Sequence, residues 1–119
     1  MLRLVCWVSG LYDLALALVM LLVPEQVAQL FGAPPPVPVV NAQLNGVFTL
    51  SLAAGYAWAA GDPEARRGYL WVAGVLAKGL GTALFVADHF LRGSPASFLL
   101  LAACDGSLAV WTLVALRRR

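Results

Sequence analysis

Residues 4–23 read LVCWVSGLYDLALALVMLLV, and this run decides the fold class. At 1.5 Å of rise per residue such a run is about 30 Å long as a helix, which is the thickness of a bilayer's hydrocarbon core. Its single charged residue is Asp13. Met1-Leu2-Arg3 ahead of it resembles the start of a signal peptide. The run is longer than the roughly 7–15 apolar residues of a signal h-region, however, and Pro24-Glu25 follows it where a small-residue cleavage site would stand. It therefore reads as a first membrane span.

Three further stretches have the same character, at about 41–60, 68–90 and 97–116. Over the whole 119 residues, 61% are hydrophobic and 12% charged, against roughly 45–50% and 25% in an average soluble domain. A small soluble domain buries too little surface to hide so many apolar residues. The expected architecture is all-α: one integral membrane four-helix bundle spanning 1–119, with lipid as its solvent. Basic residues are few and mostly sit at helix ends, which argues against a nucleic-acid role.

The breaks carry stop and start chemistry. Gly61 is expected to close the second helix in the left-handed conformation. Asp62 would then cap the third, with Pro63 at its first position and Glu64 near its positive end. Gly93-Ser94-Pro95 repeats this design. The connector 24–40 differs, because it holds Pro34-Pro35-Pro36 and Pro38. Val27, Leu30 and Phe31 share one face of a short helix there, as in a segment lying on a membrane surface. The connector reads as a rigid link or as a lid over a site in the bundle.

Orientation follows from the basic residues. Four spans put Arg3, Arg66, Arg67, Arg117, Arg118 and Arg119 on one side and Arg92 alone on the other. Both termini are thus expected in the cytoplasm and the connector outside it, with the chain passing several times through the cell's inner membrane. Trp7, Trp58, Trp71 and Trp111 fall toward the cytoplasmic side. Trp58 and Trp71 suit an interfacial belt, and Trp111 suits the core.

Counting along each span puts Asp13 at ~14 Å, Lys78 at ~15 Å and Asp105 at ~16 Å from the cytoplasmic face. Each charge at that depth costs about 2.5–3.5 kcal/mol on insertion scales. Three that meet would offset one another, so a buried Asp13–Lys78–Asp105 cluster is expected. One acid is in excess, and a proton, a cation or a cationic ligand could balance it. Such a cluster serves either to fix helix register or to form a site. Asn41, Asn45 and Thr49 share a face of the second span, Tyr56 continues near that stripe, and Thr82 lies one turn beyond Lys78. These side chains are candidates for site lining or for interhelical hydrogen bonds. Tyr12 points about 100° away from Asp13 and need not join it.

Cys6 and Cys104 form no Cys-x-x-Cys pair and read as small core residues. Asp88-His89 is weak as a metal site, because consecutive helical residues diverge. No metal and no cofactor is evident, and no Ser-His-Asp, phosphate-loop or zinc spacing occurs.

The residues Leu11-Tyr12-Asp13-Leu14, Pro24, Phe31-Gly32, Asn45-Gly46, Lys78 and Asp105-Gly106 together resemble small bacterial four-helix membrane proteins of the DoxX-like group. The resemblance implies a four-span fold and an association with membrane-bound redox complexes. Three functions are compatible with the residues. The first is binding or processing of a lipophilic or amphipathic small molecule at Asp13, Lys78, Asp105, Asn45, Thr49, Thr82 and Tyr56. The second is an accessory or assembly subunit of a larger membrane complex, and the third a small proton-coupled exporter. Whether the chain is an enzyme stays open at this point. Its expected partners are the bilayer, a lipophilic ligand, and either further copies of itself or a membrane complex.

Overall fold

The computed structural model describes residues 1–118; Arg119, counted above among the basic residues, lies outside them. The described residues are all-helical. Helix α1 spans Leu2–Leu22, α2 Pro24–Leu30, α3 Val39–Gly61, α4 Arg67–Arg92 and α5 Phe98–Arg117. Three of them, α1, α4 and α5, are long and apolar enough to cross a membrane. The stretch expected as the second span is also one helix, α3, of 23 residues. It is less apolar because Asn41, Gln43, Asn45, Thr49 and Ser51 interrupt it. Thr49 and Ser51 return their hydroxyls to the carbonyls of Asn45 and Val47 at 2.8 and 2.9 Å.

Small residues set the packing. α1 lies along α3, and α4 lies along α5. A Cβ added to Gly46 of α3 would come within 2.8 Å of Leu21 Cγ and 3.2 Å of the Ala17 carbonyl of α1. A Cβ on Gly74 of α4 would come within 2.6 Å of Thr112 Cγ2 on α5. Both glycines therefore let neighbouring backbones approach. At the end carrying the termini, Val5, Cys6, Tyr56, Ala59, Leu70, Ala115 and Leu116 form one buried core. Trp111 packs against it, as its depth implied. Cys104, by contrast, is exposed, so the expectation of two core cysteines holds for Cys6 alone.

The helix ends differ in part from their expected chemistry. Gly93 ends α4 with φ 73°, and its N–H donates to the His89 carbonyl at 3.2 Å. Gly61 stays helical instead. The chain leaves α3 at Asp62, whose extended φ of −153° needs no glycine. Asp62 then accepts from the Ala65 N–H at 3.3 Å and organises one turn, and α4 starts only at Arg67. The arginines of this end cap carbonyls that the helices leave unsatisfied. Arg3 donates to Ala60 at 3.0 Å, Arg66 to Trp58, and Arg67 to Leu116. Arg66 also lies 4.5 Å from the centre of the Trp58 ring.

Within α4, residues Leu70–Ala77 wind as a π-helix. Such segments are rare and occur often at functional sites. The wider winding changes the direction in which every later side chain points. Lys78 is the first residue after it.

Candidate functional site

Lys78 sits where four helices converge. Its Nζ donates to Asp13 Oδ1 of α1 at 2.7 Å and lies 4.0 Å from Asp105 Oδ1 of α5. Asp13 is 3% exposed and Lys78 6%, so the close pair is dry, while Asp105 is only half-buried. The cluster expected from depth alone is therefore unequal. Asp13 holds the ammonium, and Asp105 stands back from it.

Tyr12, whose direction on α1 left its place open, joins the group. The Lys78 ammonium lies 5.2 Å from the centre of the Tyr12 ring and 5.7 Å from that of Tyr56. Aromatic faces at such distances attract a cation electrostatically. The Tyr12 hydroxyl comes near the Asp105 carboxyl without a hydrogen-bond geometry, and it is buried with no partner. Asp13 Oδ2 is in the same condition.

These groups form the floor of a cavity of about 520 Å³. Tyr12, Asp13, Lys78 and Asp105 line it at one end, with Asn45 and Thr49 on the α3 wall. The rest is apolar, with Leu16 and Met20 from α1, Phe85 from α4 and Phe98 and Leu101 from α5. The roof is α2 and the proline-rich segment, which contribute Val27, Ala28, Phe31 and Pro34. Leu30, expected on the same face as Val27 and Phe31, is 82% exposed and points away. A helix of seven residues cannot keep all three on one narrow face once Ala28 turns inward.

The roof is tied to the bundle. Ser97 Oγ, just before α5, donates to the Phe31 carbonyl at 2.5 Å. The Phe31 and Phe98 ring centres are 5.8 Å apart, and those of Phe85 and Phe98 6.1 Å. Of the two readings of the connector, the structure places it over a cavity.

The remaining candidates separate. Asn45 and Thr49 line the cavity, whereas Asn41 is exposed and does not. Tyr56 is wholly buried in the core at the terminal end, edge-on to Tyr69 at 5.3 Å. Thr82 turns away from the cavity: its hydroxyl donates to the Lys78 and Ala102 carbonyls at 2.9 and 3.3 Å. It joins helices rather than lining the site. His89 Nδ1 donates to the Ser94 carbonyl at 2.7 Å, and Asp88 pairs with Arg92 at 3.0 Å. Among the described residues no three His, Cys, Asp or Glu side chains converge on a point that could hold a metal.

From sequence, the roof was legible as the face carrying Val27 and Phe31 and as the proline run that follows it, whereas the partner rings Phe85 and Phe98 and the approach of Tyr12 to Lys78 were not. No family model, no curated protein and no solved structure matches the chain.

Proposed function

We propose that the chain spans the inner membrane four times, with both termini in the cytoplasm. In this reading it binds or processes a lipophilic or amphipathic small molecule inside the bundle. One observation carries the proposal. A cavity of about 520 Å³ combines apolar walls with a buried, incompletely satisfied ionic floor. Ligand pockets typically measure about 300–1,000 Å³ and pair mostly apolar linings with a few polar groups. Ionisable residues inside a bilayer are functional candidates by default.

Several features support the membrane setting. The longest dimension is 44 Å, close to the ~40–45 Å of a bilayer with its headgroups. Leu11, Leu80, Leu84, Leu100 and Val110 are each more than 60% exposed, and water would penalise so large an apolar surface. α3 lies between α1 and α4 in the chain and packs along α1. The hydroxyls of Thr49 and Ser51 are satisfied within the helix, as the hydrocarbon phase requires. The ligand's polar group sits at Asp13, Lys78 and Asp105, and its apolar body runs toward Phe31 and Phe98.

The test is to purify the protein from membranes in a mild detergent and identify the small molecules it retains by native mass spectrometry. An Ala28→Trp variant, which fills the cavity from its roof, serves as the control. A lipophile bound to the native chain and lost from the variant is expected. Identical lipid retention by both proteins would end the reading.

A further inference from the structure

We infer that the cavity is filled sideways from the bilayer, between α3 and α4, by a neutral lipophile carrying a hydroxyl group, an alcohol or a phenol. This rests on the reading of the chain as a membrane-spanning binding protein.

The route follows from which walls are closed. α1 is packed along α3 and also approaches α5, and α5 is packed along α4. The roof is tied down at Ser97 and Phe31. α3 and α4 come together near Tyr69, whose hydroxyl donates to the Leu52 carbonyl at 2.5 Å. Beyond that point the two diverge, and α3 has almost no close backbone approach to Lys78–Arg92. Three residues that line the cavity beside this gap are exposed on the outside of the bundle: Asn45 and Phe48 of α3 and Ala77 of α4. Phe48 is 66% exposed. Ala77 lies ten residues into α4, or ~15 Å along it, which is mid-membrane. The gap therefore opens on acyl chains and not on water.

The head group follows from the route and from the floor. A permanently charged head crossing at that depth meets the full penalty for charge in hydrocarbon, whereas a hydroxyl meets a far smaller one. At the floor, Asp13 Oδ1 is occupied by Lys78, and Oδ2 is buried without a donor. An ionised carboxylate only accepts hydrogen bonds. The Tyr12 hydroxyl, on the same floor, is buried near the Asp105 carboxyl but without hydrogen-bond geometry to it. A ligand hydroxyl both donates and accepts. Either unpartnered group therefore suits it: Asp13 Oδ2 by accepting its hydrogen, the Tyr12 hydroxyl by donating one. An ammonium head serves only the acid, and a carboxylate head is repelled by both acids.

The probe is tritiated 1-dodecanol added to the full chain in lipid nanodiscs, with empty nanodiscs subtracted. Unlabelled dodecanol, dodecanoate and dodecyltrimethylammonium compete. Saturable retention is expected, displaced by dodecanol and about tenfold less well by the two charged competitors, the factor that one lost buried hydrogen bond implies. Ala77→Trp narrows the gap at an exposed position and slows association severalfold, while Phe48→Ala speeds it; thermal unfolding confirms that both variants fold. Displacement by a charged competitor as good as that by dodecanol overturns the head-group assignment and leaves the cavity reading standing. Association rates unchanged in both variants overturn the lateral route. No saturable retention of dodecanol, together with no lipophile retained from native membranes, overturns both readings.

Discussion

Replacing Lys78 with methionine removes the one cation that the buried Asp13 and the half-buried Asp105 share. At an effective dielectric of about 20, unit charges 2.7 Å apart attract by about 6 kcal/mol, and 4.0 Å apart by about 4 kcal/mol. Desolvation of the three groups offsets most of this, so the gross figures are not the stability change. What the variant loses is compensation. Asp13 is 3% exposed and cannot turn to water, and breaking a buried pair from one side costs about 3–5 kcal/mol. Lys78→Met is expected to fall in that range. Adding Asp13→Asn removes the stranded charge, and replacing both partners of such a pair ranges from neutral to stabilising by about 1–4 kcal/mol. The double variant should therefore recover much of the loss. Asp105 also loses its cation, so full recovery is expected only when Asp105→Asn is added. The assay is equilibrium unfolding in a mild detergent, followed by far-ultraviolet circular dichroism, on the single, double and triple variants. A Lys78→Met protein within about 1 kcal/mol of the native chain would match an exposed ion pair and refute the cluster's energetic role. So would a double variant less stable than the single.

Three further outcomes follow from other parts of the bundle. Gly74→Ala drives a methyl into Thr112 Cγ2 and should cost about 1–3 kcal/mol as an overpacked contact does; Thr112→Ala in the same chain should restore most of it, and additive losses in thermal unfolding would show the two residues do not touch. Ser97→Ala removes the donor to the Phe31 carbonyl, worth about 0.5–1.5 kcal/mol, and should raise hydrogen exchange across residues 24–33 selectively; uniform exchange in both proteins would mean the roof is not held there. In a cysteine-free background, Gln29→Cys should react with a membrane-impermeant maleimide added to intact cells and Arg118→Cys only after permeabilisation; the reverse pattern would invert the orientation.

Where the helices run, and the level along them at which the ionisable residues meet, were both legible in the sequence. Helix length and rise are local properties, so counting from Leu4, Gly68 and Leu116 placed Asp13, Lys78 and Asp105 at one depth without a third dimension. Gly93 and the proline run likewise act through the backbone next to them. Rotation and tilt of one helix against another are not local. They are set by close approaches such as Gly46 on Leu21 and Gly74 on Thr112, and, for α4, by the π-helical turn that precedes Lys78. Residues with the same spacing therefore met different fates. Thr82, one turn from Lys78, joins two helices. Tyr12, about 100° from Asp13 by helical geometry, stands beside the ammonium because the long lysine stem reaches between them. Only the tertiary structure decided that Asp13 holds Lys78 closely and Asp105 does not. It alone produced the cavity, because a cavity is the space left where helices packed at one end diverge at the other, and here the long connector covers it. This bundle closes around Tyr56 and Leu70 and stays open beneath Phe31.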